Sequence, residues 1–84
     1  STQRDTPGCV GNREINRIHD GLTVRQVTDI FDTSGVMVEF RQEGDHFTQV
    51  RRYRGCQRGL IVFVTFERDR GWSWSVTSIG AVLS

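Results

Sequence analysis

Two sets of residues in this chain belong to types that do chemistry. The first would be catalytic: His19 and His46, the serines Ser73, Ser75 and Ser78, and the acid pair Asp29 and Asp32. A serine nucleophile needs an activating base and, in the elbow form, a sharp glycine-flanked turn. Ser73, Ser75 and Ser78 instead sit in an alternating, strand-like stretch without that glycine pattern. A zinc site needs three or four converging ligands, and no His, Cys or carboxylate spacing supplies them. Asp29 and Asp32 lie three apart on a predicted helix and read as solvated surface charges. His19, beside Asp20 on a predicted helix, and His46, at a turn, read as polar surface residues. All 11 cations are arginine. No lysine is present for a Schiff base, a general base or a P-loop. No catalytic residue, cofactor or metal ligand is assigned, and the expectation is a domain that is not itself an enzyme.

The second set would bind. Tyr53, Trp72 and Trp74 are interleaved with Arg51, Arg52, Arg54, Arg68 and Arg70. Arg and Trp are enriched at binding hot spots. Guanidinium groups grip carboxylates and phosphates through paired hydrogen bonds and stack on rings. On one sheet face this set would suit an anionic glycan, a cell-wall polymer or an acidic protein surface. The alternative is that both tryptophans pack as core under the helices, with the arginines as solubilising edge residues. The net charge is only +1, which argues against a strongly basic nucleic-acid binder. It conceals a local run, however: Arg51, Arg52, Arg54 and Arg58 cluster around Cys56.

The elements that must position these residues follow from composition and pattern. The chain has 84 residues, enough for one small domain with a thin core. Ala81 is its one alanine, against 10 Val, 5 Ile and 8 Thr, so the domain should be mostly sheet. Residues 1–8 are polar, carry the one proline, and read as a linker or loosely held arm ahead of a domain at 9–84. The spacing predicts a short helix over residues 12–20, with Asn12 as N-cap, Glu14 in the first turn and Gly21 just past the end. Thr23-Val24-Arg25-Gln26 is a capping box, Leu22 and Val27 form a hydrophobic staple, and Val24, Val27, Ile30 and Phe31 make one helical stripe.

After Gly35 the pattern is strand. Val36, Val38 and Phe40 share one face. A turn at Glu43-Gly44-Asp45 leads to a second strand over residues 47–54, in which Val50 breaks the parity of Phe47 and Tyr53. Either a bulge or one exposed residue would explain that break. Leu60-Ile61-Val62-Phe63-Val64-Thr65-Phe66 reads as a central strand covered on both faces, and is far too short to span a bilayer. Trp72-Ser73-Trp74-Ser75-Val76 reads as a fourth strand with both tryptophans and Val76 on one face. The expected fold is α+β: two short helices on one face of a four-stranded antiparallel meander.

Cys9 and Cys56 either pair or remain two buried thiols. A core this small favours the staple, and a disulfide points to an oxidising compartment. The chain starts without Met, as a processed or excised segment would.

Ile15-Asn16-Arg17-Ile18-His19-Asp20-Gly21-Leu22-Thr23-Val24-Arg25-Gln26-Val27 resembles the "x-G-M-T-x-x-Q-V" helical pair of the β-lactamase inhibitory protein and SmpA/OmlA (BamE-like) superfamily, with Leu22 in place of the usual Met. Ile30-Phe31-Asp32-Thr33-Ser34-Gly35 is similar to the ending found in small exported actinobacterial domains and in modules of actinobacteriophage lytic enzymes. In those modules one Cys precedes the first helix and another follows a "V-R-x-Y-R-x-C" strand, here Val50-Arg51-Arg52-Tyr53-Arg54-Gly55-Cys56. The resemblance covers residues 9–68. It implies two helices on a small antiparallel sheet, a Cys9–Cys56 bridge and an extracytoplasmic location. The function it implies is a non-catalytic, monomeric binding module, most specifically the cell-wall-binding domain of an endolysin. Its partner would be a glycan or peptidoglycan polymer. A small secreted inhibitor of a target enzyme is the alternative, although those inhibitors carry two such units and this chain carries one. An envelope assembly protein is the third reading. Neither nucleic acid nor a membrane span is expected.

Overall fold

The computed structural model describes residues 9–83. The predicted arm at 1–8 lies outside the described residues. The elements are β1 (Cys9–Val10), α1 (Asn12–Ile15), α2 (Val24–Phe31), β2 (Val36–Glu43), β3 (His46–Gly55), β4 (Leu60–Asp69) and β5 (Ser75–Leu83). The class is α+β with two helices, but the sheet is mixed. β2, β3, β4 and β5 form the expected antiparallel meander, and β1 adds a fifth strand parallel to the end of β3. Cys9 and Val10 stand beside Arg54 and Gly55, and the Cys56 N–H donates to the Val10 carbonyl at 2.9 Å. The Cys9–Cys56 disulfide, closing 47 residues of sequence separation, locks this corner.

α2 forms as its sequence dictates. The Thr23 hydroxyl accepts from the Gln26 N–H at 3.1 Å, and the Gln26 side chain accepts from the Thr23 N–H at 2.9 Å. Val27 and Phe31 are buried, and Leu22, Val24 and Ile30 pack on the same core. α1 is shorter than the spacing predicts. Its N-cap is Gly11 rather than Asn12, with the Glu14 carboxylate accepting from the Gly11 N–H at 2.8 Å. After Ile15 the chain tightens: the Arg17 and Ile18 N–H groups donate three residues back, to Glu14 and Ile15. Tertiary bonds draw it away from the helix. The Gly21 N–H donates to the Val76 carbonyl, and the Val76 N–H donates to Leu22. Gly21 is therefore a lining of the β5 edge and not a helix terminator.

Cross-strand register sorts the sheet into two faces. Leu60, Val62, Val64 and Phe66 on β4, Tyr53 on β3 and Val76 on β5 point toward the helices and are buried. The alternate β4 residues Ile61, Phe63 and Thr65 are only half-buried, because nothing among the described residues covers the other face. The both-sides coverage expected of this strand is thus corrected. β3 runs in unbroken register against β4, so Val50 lies on the open face without a bulge. The irregularities fall on its neighbours, between Met37 and Glu39 on β2 and opposite Thr65 and Phe66 on β5. The first of these moves Phe40 away from the face of Val36 and onto the helix side, opposite Gln49.

Gly35 shows how closely the layers meet. Its φ is +67°, and a Cβ there would lie 2.6 Å from the Tyr53 ring and 2.8 Å from the Arg52 carbonyl. Only glycine meets both demands.

Candidate binding surface

The eight predicted binding residues do not share one face. Tyr53 is 1% exposed, packed edge-to-face on Phe31 with ring centroids 4.8 Å apart. Its hydroxyl is buried without a hydrogen-bond partner, and burial pushes its pKa up to about 12, against the pull of the nearby Arg51 charge. It is a core residue and not an exposed platform. Replacing it by phenylalanine removes an unsatisfied buried donor, so Tyr53→Phe should hold or raise stability by about 1 kcal/mol. Urea unfolding checks this, and a loss of similar size would contradict the hydroxyl's isolation.

Arg51 is occupied internally, its Nε donating to Gln49 Oε1 and its Nη1 to the Ser34 carbonyl, both at 2.8 Å. Arg52 and Arg54 project from the open face. Arg54 and Arg58 line an open cavity of about 450 Å³ beside the disulfide. Strand alternation therefore turns Arg51 away from the rest of the basic run around Cys56, leaving Arg52, Arg54 and Arg58 as neighbours.

Arg70 and Trp72 lie in the β4–β5 connection. The Arg70 N–H and Nε donate to the Asp45 carbonyl and carboxylate, each at 2.8 Å, tying this connection to the β2–β3 turn. The Trp72 N–H closes a turn on the Asp69 carbonyl. β5 consequently starts at Ser75, and the predicted alternation from Trp72 is corrected. Val76 is buried, Trp74 packs at the core margin, and Trp72 is 73% exposed.

What the fold does assemble is a patch on the helix-side face beyond the reach of the helices. Phe40, Phe47 and Trp74 converge there with centroid separations of 6.3, 6.3 and 6.5 Å. The Arg68 guanidinium carbon lies 4.5 Å from the centroid of Phe47 and 5.3 Å from that of Trp74. Such cation–π contacts contribute on the order of 0.5–2 kcal/mol each. The Nη1 group donates to the Trp72 carbonyl at 3.3 Å, and Nε is buried without a partner. No carboxylate among the described residues pairs with Arg68. A guanidinium oriented by two rings, with donors left over and an exposed indole alongside, is suited to a carboxylate or phosphate carried on a ring-bearing ligand.

Phe40 and Phe47 were absent from the residues singled out by type. The hairpin could have disclosed them. Glu43 pairs with His46 across a two-residue turn, which sets Phe40 diagonal to Phe47 on one face.

His46 stands on the opposite face of the same sheet end. Its Nδ1 contacts Asp69 Oδ1 at 2.9 Å and its Nε2 contacts Glu67 Oε1 at 2.8 Å. The Thr77 hydroxyl donates to the other Glu67 oxygen at 3.0 Å. Hydrogen bonds to Asp69, and then to Glu67, raise the exposed imidazole above 6.5. With each nitrogen facing a carboxylate, the protonated ring can donate from both. A raised folded-state pKa contributes stability fully below about 6.5 and loses it as pH rises through the raised value. Wild-type stability should therefore decline as pH rises above 6.5, and His46→Gln should remove that component. Urea midpoints against pH for both proteins test it, and parallel profiles would refute it.

A groove of about 310 Å³ runs past this group between Arg68, Trp72, Ser73 and Ser75. Among the described residues no group of His, Cys, Asp and Glu has the arrangement to hold a metal ion, and no helix is long and apolar enough to cross a membrane. No protein-family model, curated protein or solved structure matches the chain.

Proposed function

We propose that this chain is a non-catalytic extracytoplasmic binding module that recognises an anionic cell-wall polymer through the patch of Arg68, Phe40, Phe47, Trp74 and Trp72. The observation that carries the reading is Arg68, a half-buried cation with no carboxylate partner among the described residues, held between two rings. Its remaining donors suit an acidic group, and the surrounding rings suit the apolar faces of sugars. The disulfide is in keeping with an oxidising compartment. The resemblance of residues 15–27 to the superfamily named above supports an envelope setting, and attachment to a wall-degrading enzyme is its most specific form.

A fluorescent fusion sedimented with purified actinobacterial cell walls tests this reading. Binding should fall as salt rises, because one partner is a charged polymer. Arg68→Gln should weaken it about tenfold or more, the equivalent of one charge-assisted hydrogen bond. Trp72→Ala, a change at an exposed turn, should weaken it without altering the thermal midpoint. No sedimentation at low ionic strength, or full binding by both variants, overturns the proposal.

A further inference from the structure

β2 is exposed along all 8 of its residues. Its inner edge pairs with β3, and its outer edge carries no backbone hydrogen bond among the described residues. At the far edge the chain's own Gly21 and Leu22 cover β5 at Val76 alone among the described residues, bonding to it at 3.0 and 2.8 Å. An unpaired edge that also exposes Val36, Met37, Val38 and Phe40 is a template for another strand.

The side chains select the occupant. We infer that it is a second copy of this chain, paired β2 to β2 in antiparallel register about a two-fold axis normal to the sheet at Phe40. With Phe40 opposite its own counterpart, Glu39 stands opposite Arg41 of the second copy, and Arg41 opposite Glu39. Both residues lie on the open face, since their β3 partners are Val50 and Thr48. Within one chain they already meet at 2.8 Å. Across the seam they complete a square of alternating charge. Shifting the axis to Glu39 or to Arg41 places like charges face to face, which is unfavourable. The charges thus choose one register against its neighbours. The bulge at Val38 bounds the ladder and leaves the central pairs to carry it.

On the other face, Phe40 is 53% exposed although it rests against Phe47 and Trp74. The second Phe40 covers it. The two Arg68 patches then stand side by side on one continuous sheet, an arrangement that gives bivalent grip on a repeating polymer. The dimer does not depend on that use.

Sedimentation velocity over a wide concentration range, with the full chain, tests the pairing. The wild type should show a monomer–dimer equilibrium governed by mass action. Hydrogen exchange of β2 amides should slow as concentration rises. Arg41→Glu and Glu39→Arg should each weaken association about tenfold or more, since each converts two attractive pairs into two repulsive ones. The double reversal, Glu39→Arg with Arg41→Glu, should restore it. A wild type that is monomeric at every concentration overturns the proposal and assigns the edge to another occupant. Single reversals without effect, or a double reversal that fails to restore dimerisation, overturn the register.

Discussion

Reduction of the Cys9–Cys56 bridge should lower the unfolding free energy by about 4 kcal/mol on the chain-entropy estimate for a loop of this length. The bridge closes a sequence separation of 47 residues, more than half of the chain. Native contacts around it add to that loss. β1 has two residues, too few to hold a ladder alone, yet it carries Val10, which is 0% exposed in the core. The bond between the Cys56 N–H and the Val10 carbonyl depends on the same corner. Small domains typically hold roughly 5–10 kcal/mol in total, so the reduced protein should be marginal at body temperature. The thermal midpoint should fall by roughly 15–30 °C with reductant, and equally in Cys9→Ser with Cys56→Ser. A shift of only a few degrees would mean the bridge is incidental. Thiol titration of the denatured, unreduced protein gives an independent check, and two reactive thiols would contradict the bridge itself.

Phe31→Ala should cost about 3–5 kcal/mol, the usual range for emptying a buried aromatic site. Phe31 is 0% exposed, closes the C-terminal turn of α2 and meets the Tyr53 ring edge-on at 4.8 Å and 73°. The surroundings cannot collapse to fill the space. Gly35 already lies against Tyr53, and the Asp32 backbone beside Phe31 is in the left-handed conformation with its N–H bonded to Thr28. Ile30→Ala, one position away and half-buried, should cost clearly less. Urea unfolding with an unchanged m-value measures the difference. If Phe31→Ala and Ile30→Ala prove equally mild, α2 does not dock on the sheet through Phe31.

The local signals of α2 were reliable, while those for the ends of α1, Asn12 as N-cap and Gly21 as terminator, were not. The capping box at Thr23 and Gln26 closes within one helical turn, and the stripe of Val24, Val27, Ile30 and Phe31 has a single way to face a core. The meander from β2 to β5 was legible for the same reason: its turns are short and its strands are rich in β-branched residues. Less was legible in the binding set. Tyr53 and Arg54 are neighbours in sequence, yet alternation sends one into the core and the other to the open face. Arg68 was named by type, but its significance lies in Phe47 and Trp74, which come from other strands. Phe40 joins them because a bulge at Val38 switches its face, and no single-strand pattern discloses that switch.

Sequence alone thus determined the class of the fold, the position of α2, the order of the meander and the low net charge, which argues against a strongly basic nucleic-acid binder. These depend on composition and on contacts within a few residues. Tertiary structure decided where α1 stops, that β1 joins the sheet in parallel, that β5 begins after the tryptophans, and which arginine is held against two aromatic rings. Each of those outcomes is settled by hydrogen bonds or ring contacts between segments far apart in the chain: Gly21 with Val76, Val10 with Cys56, Arg70 with Asp45, and Arg68 with Phe47. Their energies exist only once the sheet has brought both partners together, so no local reading of either partner contains them.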